Sequence, residues 1–231
     1  MAINHYDREG YRVSWETARR DWPLWALLVA LLAFAVWAYP QLPELMPSHW
    51  NLRGEVDDYV GKAWGAFFFP ALIAGIYLGM LLLPLADPRR NNYGRFTGVY
   101  TWFRWLLVLF FSAVYLVTIL YALGFPMDVG RVIQVGISLL FLLLGNFLGQ
   151  VRHNYFVGVR TPWTLADEEV WAKTHRFTGR LFVLAGLAGL VTVFGAPRSL
   201  AFAVTVGGIL AAALAGTIYS YLLFAAKRSS P

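Results

Sequence analysis

Cysteine is absent from all 231 residues, which excludes disulfide bonds, thiolate metal sites and thiol catalysis from this chain. Charged residues are also scarce at 14%, against about 25% in typical soluble domains. Hydrophobic residues instead make up 58% of the chain and aromatic residues 17%. A chain of this length cannot hide so much apolar surface in its own interior, whereas a lipid bilayer removes that surface from water. The composition therefore predicts an integral membrane protein.

Several apolar runs are long enough to cross a membrane, because a helix needs roughly 20 residues to span about 30 Å of hydrocarbon. The first run follows a polar tail and is long enough to span, so we expect a retained helix and no cleaved signal peptide. We predict an all-α integral membrane protein with six transmembrane helices, at residues 22–39, 66–86, 101–123, 132–149, 179–196 and 200–226.

The distribution of lysine and arginine predicts the orientation, since cytoplasmic loops carry an excess of these residues. One side of the predicted membrane has only Arg53, Lys62, Arg131 and Arg198, and Arg104 in the third span is left uncounted. The other side has Arg8, Arg12, Arg19, Arg20, Arg89, Arg90, Arg95, Arg152, Arg160, Lys173, Arg176, Arg180, Lys227 and Arg228. Both termini are therefore expected in the cytoplasm. The net charge of +6 is explained by this orientation, so we do not expect direct binding of nucleic acid.

The connections suggest how the chain is divided. Two of them are long, polar and not of low complexity, and we expect both to be ordered: an outer loop at 40–65 and an inner loop at 150–178. The predicted segments are a cytoplasmic tail (1–21), a first helical hairpin (22–86), a third span with its connections (87–129), a C-terminal domain (130–226) and a C-terminal tail (227–231).

Small residues recur at a spacing of four within three of the spans. In lipid, this spacing lets helix backbones approach each other closely. We interpret these residues as helix contacts: Gly75 with Gly79, Gly145 with Gly149, and Gly208 with Ala212 and Gly216.

The outer loop contains a histidine near acidic residues. Its prolines keep the chain extended, and residues 51–54 suit a tight turn. A metal or ligand site at His49 with Asp57 or Asp58 is one interpretation, since imidazole and carboxylate groups bind zinc. The alternative is an ordered lid with His49 bonded inside its own loop and Trp50 at the membrane surface. We take His49, Trp50, Asn51 and Asp57 as candidate binding residues and assign no metal.

The inner loop contains a helix start. Thr164 and Asp167 resemble a capping box, and Asp167–Glu169 would then lie in the first helical turn, where the helix dipole favours negative charge. On that helix Glu168, Trp171 and His175 share a face. We predict a short interfacial helix of about 12 residues before the fifth span.

Polar and aromatic residues are dense in and around this loop. They form either one binding constellation at the cytoplasmic mouth of the bundle, with Arg160 offering a planar fork to an anion, or a set of helix caps and lipid-headgroup contacts. The candidate ligand- or partner-binding residues are Asn146, Arg152, Asn154, Tyr155, Arg160, Thr161, Trp163, Glu168, Trp171, His175 and Arg176.

Residues 154–165 read NYFVGVRTPWTL and are followed by Val170-Trp171, Thr174-His175-Arg176 and Gly179. This pattern resembles the signature of the SdpI family of bacterial membrane proteins. Upstream, Pro47, His49-Trp50-Asn51, Gly54, Asp57 and Lys62 resemble a short domain of unknown function that often precedes it. The resemblance implies six spans in the bacterial cytoplasmic membrane, with residues 130–226 as the SdpI-like domain.

The resemblance also implies a function. The founding member of the family protects its cell from a membrane-active peptide toxin and draws a small transcriptional repressor to the membrane. We therefore expect an immunity or sensor protein whose partners are membrane lipids, a peptide toxin on the outer face and a cytosolic repressor on the inner face. No cofactor is expected.

Two other classes of function stay open. A transporter of lipid or peptide is one, although the spans carry no acidic residue at their middle and their nearest polar residues are Gln134, Ser138 and Asn146. An enzyme using His175 with Glu168 or Glu169 is the other, but no nucleophile elbow, metalloprotease pattern or phosphate loop is present. We expect no enzyme, and we expect His49 and His175 on opposite sides of the membrane.

Overall fold

The computed structural model describes residues 11–51 and 53–229. Within these residues the chain forms a helical bundle with one small antiparallel sheet. The elements in chain order are α1 (Trp15–Arg20), α2 (Trp22–Ala38), β1 (Leu45–Trp50), β2 (Val56–Gly61), α3 (Lys62–Leu82), α4 (Thr97–Ala122), α5 (Val129–Leu148), α6 (Pro162–Ala166), α7 (Glu168–Gly195) and α8 (Arg198–Ser229).

Six helices of the described residues are long and apolar enough to cross a membrane: α2, α3, α4, α5, α7 and α8. This confirms the six-span prediction and makes the chain a multi-pass membrane protein. Helix α2 ends in a 3-10 turn at Tyr39–Gln41, and α3 ends in one at Leu83–Ala86. Each of these turns contains a proline, which cannot continue the α-helical hydrogen bonding. A further 3-10 segment, Arg90–Phe96, precedes α4.

The predicted tails are described only in part. Residues 1–10, including Asp7, Arg8 and Glu9, and residues 230–231 lie outside the described residues. From Trp15 the N-terminal segment forms the short helix α1, which is capped by the side chain of Ser14. At the other end, α8 continues through Lys227 to Ser229.

The six long helices form two units of three. Helices α2, α3 and α4 pack on one another, and α5, α7 and α8 form the second unit, with α4 packed against α5. We call the end of the bundle that carries β1 and β2 the hairpin face. The opposite end carries residues 83–96 and 149–167, and we call it the signature face.

Glycines set the close contact of α5 with α7. A Cβ atom added to Gly145 would lie 2.6 Å from the carbonyl oxygen of Gly179, and one added to Gly186 would lie 2.5 Å from that of Ser138. Such a contact has no room for a side chain. The predicted contact role is confirmed for Gly145 and also for Gly149, Gly208 and Gly216, which meet Arg176, Ala185 and Thr178. It is wrong for Gly75 and Gly79, where an added Cβ would have no atom of another described element within 4 Å.

The outer loop forms an antiparallel hairpin, which the all-α prediction did not include. Strand β1 pairs with β2 in the register Leu45 to Gly61 and Met46 to Val60. Gly54 closes the turn with a φ of +80°, a left-handed conformation that favours glycine. Met46 is fully buried and packs against Gly65 of α3. A Cβ atom added to Gly65 would lie 2.7 Å from the sulfur of Met46. The hairpin is therefore fixed to the end of the first unit.

A buried ion pair joins the helices of the first unit. The Asp21 carboxylate, 0% exposed, lies 2.7 Å from Nη2 of Arg104 in α4. It also accepts hydrogen bonds from the Tyr77 hydroxyl at 3.0 Å and from Trp105 Nε1 at 3.2 Å. A charge near the end of a span is tolerated when it is paired in this way. From sequence, Asp21 was assigned to the polar tail and Arg104 was left without a role.

We expect Asp21→Leu to lower the free energy of unfolding by about 3–5 kcal/mol, because it leaves the Arg104 charge buried and unpaired. The double substitution Asp21→Leu with Arg104→Leu should recover much of that loss, since no buried charge remains. Thermal unfolding of the purified protein in one detergent compares them. A double variant no more stable than the single one would contradict the pairing.

Candidate functional site

The segment from Gly149 to Asp167, which we call the signature loop, is folded around the buried side chain of Asn154. Its Nδ2 donates to the carbonyl oxygens of Arg152, at 2.8 Å, and Val157, at 3.1 Å. Its Oδ1 accepts the N–H groups of Phe156 and Val157 at 2.9 and 2.7 Å. One side chain thus replaces the regular backbone bonding that this irregular segment lacks.

Asp87, between α3 and α4, attaches the signature loop to the first unit. It is 2% exposed, and its Oδ2 accepts the backbone N–H of Tyr155 at 2.9 Å and the Tyr93 hydroxyl at 3.0 Å. Its Oδ1 accepts the N–H of Arg89 at 2.7 Å. Tyr93 also approaches Asn154 Oδ1 at 3.3 Å. The carboxylate is therefore shared by two segments far apart in sequence.

Arg89 and Asn92 make further contacts across the same junction. Arg89 donates to Nε2 of His153 and lies over the Tyr155 ring, 4.9 Å from its centroid. Asn92 donates to the His153 carbonyl oxygen at 2.7 Å. Burial, together with the neighbouring Arg89 charge, holds the pKa of His153 below its ordinary value, although Glu168 opposes this effect. Neutral His153 is the form that can accept from Arg89.

His153, Trp171 and His175 form a column of rings. The Trp171 ring lies 5.0 Å from His153 and 4.0 Å from His175, and its Nε1 donates to the Val151 carbonyl at 2.9 Å. Nε2 of His175 accepts the Val159 N–H at 3.0 Å, so Nδ1 carries the proton and donates to the Trp171 carbonyl at 2.8 Å. Both nitrogens of this buried histidine are therefore engaged by backbone.

Gly158 permits this arrangement, since its φ is +116° and a Cβ there would lie against His175 Nε2. The prediction that Glu168, Trp171 and His175 share one helix face is confirmed. Trp171 and His175 stack, and Glu168 lies 3.6 Å from His153 Nδ1. The face they share is the one turned toward the signature loop.

The predicted helix caps differ from those found. Thr161 caps α6 reciprocally: it accepts from the Thr164 N–H at 3.1 Å, while Thr164 Oγ1 accepts from the Thr161 N–H at 2.9 Å. The proposed capping box of Thr164 with Asp167 is therefore wrong. Asp167 instead caps α7, accepting from the N–H groups of Glu169 and Val170.

Helix α7 then continues unbroken from Glu168 to Gly195. The short helix before the fifth span is α6, of 5 residues, and the residues expected to form a 12-residue interfacial helix are the first turns of α7 itself. Gly179, within this helix, lies against Gly145 of α5. Lys227 of α8 stabilises the start of α7, because its Nζ lies 2.6 Å from Asp167 Oδ2 and 3.1 Å from Glu169 Oε2.

The remaining inner candidates do not form one constellation. Arg152 and Arg160 are exposed, and Arg160 donates to the Tyr155 carbonyl at 3.1 Å. Trp163 lies against Tyr221 of α8, with ring centroids 5.1 Å apart. The structure places Asn146 and Arg176 elsewhere, in a groove between α5 and α7.

The outer candidates lie on the hairpin. His49 Nδ1 is 2.6 Å from Asp57 Oδ1, and both side chains are largely exposed. The Asn51 side chain accepts hydrogen bonds from the N–H groups of Arg53 and Glu55. It also donates a hydrogen bond to the Glu55 carboxylate, which helps to lower the pKa of Glu55. Asp58 accepts a hydrogen bond from the N–H of its neighbour Tyr59. Across residues 11–51 and 53–229, no group of three potential metal ligands is found.

Beneath the hairpin lies a cavity of about 450 Å³, which we call the hairpin-face cavity. It separates the two three-helix units at this end of the bundle, because its walls come from the hairpin, α3 and α4 on one side and from α5, α7 and α8 on the other. Most of its lining is apolar, and the main wall residues are Trp64, Phe68, Phe69, Val114, Ile137, Val193, Ala201, Phe202 and Val206.

A few polar groups face the same space. Gln134 donates to Thr205 at 3.2 Å in its lining, and Arg131 and Arg198 line it nearer the hairpin. The indole N–H of Trp50, another lining residue, is buried and has no acceptor among the described residues. The Trp50 ring also packs on the ring of Tyr121, with ring centroids 5.8 Å apart. Sequence reasoning missed this cavity because its walls come from separate parts of the chain.

His49 lines this cavity together with Val193, near the end of α7. With a rise of about 1.5 Å per residue, Val193 lies about 27 Å from His175 along the helix. The prediction that the two histidines lie at opposite ends of the spans is confirmed.

The fold thus defines a six-helix membrane protein with an ordered loop at each end and a mainly apolar cavity below one of them. Residues 150–220 match the model of the SdpI/YfhL protein family, and residues 26–74 match a domain of unknown function, DUF1648. These matches confirm the resemblance to the SdpI/YfhL family that was inferred from the motifs.

One curated relative is the immunity protein SdpI of Bacillus subtilis (strain 168). It is 27% identical over 171 residues, which cover 73% of this chain and 80% of the relative. No solved structure matches the chain.

We expect Asp87→Ala to destabilise the protein by about 1–3 kcal/mol, because it leaves the Tyr155 N–H without its acceptor and the buried Tyr93 hydroxyl with only the longer contact to Asn154. Asp58→Ala is the control, since that carboxylate is exposed on the hairpin. Thermal unfolding in detergent compares the variants. Equal melting temperatures for both would show that Asp87 does not hold the junction.

Proposed function

We propose that this chain is an immunity protein of the bacterial cytoplasmic membrane that binds a membrane-active peptide in its hairpin-face cavity. The cavity itself is the observation that carries the proposal, since its size and apolar lining suit several side chains of an apolar peptide segment. The name of the curated relative, an immunity protein, supports the same role.

The proposed orientation puts the hairpin face outside the cell. Its support is the arginine and lysine distribution, because the signature face carries the excess of positive charge. A toxin arriving from outside would then meet the hairpin and the cavity first. The signature face would meet the cytosol.

The cavity also suits a ligand that arrives through the lipid. Trp64 and Phe68 of α3 and Phe202 of α8 line it, yet they remain 60%, 37% and 45% exposed on the bundle surface. An apolar segment could therefore pass from the bilayer between these helices without crossing water. Once inside, a peptide carbonyl would satisfy the unpartnered N–H of Trp50.

We propose binding and no catalysis. His175, the candidate general base, is buried, and backbone groups engage both of its ring nitrogens. Transport is disfavoured by the Asp21–Arg104 pair, since the buried acid has its partner fixed at 2.7 Å.

Signalling to a cytosolic repressor is the second part of the proposal. Arg152, Tyr155 and Arg160 are exposed together on the signature loop, and a planar guanidinium suits a carboxylate of a protein partner. The loop is bonded to the first unit through Asp87 and Tyr93. It is bonded to α7 of the second unit through Trp171 and His175. A change in the spacing of the units at the cavity would therefore reach it.

We expect Ile137→Trp to abolish protection, because the larger ring fills the hairpin-face cavity. The matched control is Leu139→Trp on the same helix, whose side chain is 43% exposed toward the lipid and lines no part of the cavity. Survival of a toxin-sensitive bacterium challenged with a membrane-active peptide is measured at equal membrane abundance. Failure of the unaltered chain to protect would overturn the immunity role, and protection by Ile137→Trp would move the binding site elsewhere.

Arg160→Ala should leave protection intact but weaken recruitment of a cytosolic partner, because the substitution removes one exposed cation from the signature loop. Crosslinking in intact membranes, with and without toxin, followed by identification of the captured protein, measures recruitment. Arg95→Ala, an exposed arginine on the same face, controls for charge. Loss of protection in Arg160→Ala would place the loop in toxin defence itself.

A further inference from the structure

A second binding site lies at the signature face, in a groove between α5 and α7. The groove has a volume of about 480 Å³, and its floor is formed by Gly145, Gly149 and Gly179. These glycines let α5 and α7 approach each other closely, because a side chain at any of them would meet atoms of the facing helix. The proposed immunity role does not use this groove, and the signature loop contributes only its first residue, Gly149, to the lining.

The polar rim of the groove consists of donors. Arg176 and Arg180 are one helical turn apart on α7, and Asn146 faces them from α5. All three side chains are exposed, and neither guanidinium has an ion pair or hydrogen bond within the described part of the chain. By contrast, Arg104, Arg198 and Lys227 are each paired with an aspartate. The rim therefore offers two free guanidinium groups to one anion.

Below the rim the groove becomes apolar. Val183 and Leu184 line the end of the groove that lies further along α7 from the arginines. Leu184 is 60% exposed on the surface of the bundle. The exposed apolar surface continues along α7 through Leu187, which is 47% exposed, and Val191, which is 73% exposed. A cationic end followed by an apolar strip along a span matches the headgroup and acyl chain of a phospholipid.

We propose that this groove binds an anionic phospholipid, with its phosphate held by Arg176, Arg180 and Asn146 and an acyl chain lying along α7. Paired guanidinium groups bind phosphate oxygens through charge-assisted hydrogen bonds. A soluble phosphate compound would gain nothing from the apolar strip. The site is separate from the hairpin-face cavity at the other end of the bundle.

The test uses the full-length protein purified in detergent and titrated with phosphatidylglycerol or phosphatidylcholine, with bound lipid counted by native mass spectrometry. The unaltered protein should prefer phosphatidylglycerol, and the double variant Arg176→Gln with Arg180→Gln should bind it on the order of tenfold more weakly. The control is Arg95→Gln with Arg228→Gln, which removes the same charge from exposed positions at the same end of the bundle. Thermal unfolding checks that both double variants are folded.

Equal weakening in the two double variants would overturn the proposal, because the attraction would then be general and not local to the groove. Displacement of the lipid by millimolar glycerol 3-phosphate would overturn the lipid assignment in favour of a soluble phosphate. Retention of phosphatidylglycerol against that competitor, with loss only in the Arg176 and Arg180 variant, is the expected result.

Discussion

The carboxylate of Asp87 depends on donors from two parts of the chain that are far apart in sequence. It is buried at the signature face, and its Oδ2 accepts hydrogen bonds from Tyr93 of the first unit and from the Tyr155 N–H of the signature loop. A buried carboxylate without donors is costly, so the two segments are held together by that requirement. The ring column and the Arg89 contacts follow from the position that this junction gives the loop.

The two ends of the bundle differ in how they join the units. At the signature face the junction consists of directed hydrogen bonds among buried polar groups, which leave little freedom of position. At the hairpin face the same units are separated by a cavity of about 450 Å³. Arg198 of α8 crosses that gap by donating to the Arg53 carbonyl oxygen of the hairpin, and Asp128 at the start of α5 holds the same guanidinium. One end is therefore suited to holding a fixed shape and the other to admitting a ligand.

The sequence was informative where one residue determines its surroundings locally. Apolar runs predicted the six spans, and helical spacing predicted the shared face of Glu168, Trp171 and His175. The glycine contacts of α5 with α7 followed from small residues four apart. Each of these signals involves residues within a few turns of one another, so no knowledge of the packing was needed.

Features that depend on contacts between distant segments were not predictable. Asp21 looked like part of a polar tail because its partner, Arg104, lies in another helix. From the sequence, Arg89 contributes only to the positive charge of one side and Asp87 has no role, because the signature loop that contacts them is far along the chain. The hairpin required the pairing of β1 with β2, and its prolines indicated only extended chain. The cavity is assembled from every long helix except α2, so no single stretch of sequence contains it.

Helix α7 has a mechanical consequence. It is an unbroken rod of 28 residues with His175 in the ring column near one end and Val193 in the cavity wall near the other. Over the roughly 27 Å between them, a tilt of about 5° at the cavity would displace the far end by about 2 Å. That displacement exceeds the range of about 0.5 Å over which a hydrogen bond keeps its strength. Under the proposed function the rod would act as a lever, and occupancy at one membrane surface would make or break individual bonds at the other without any helix bending.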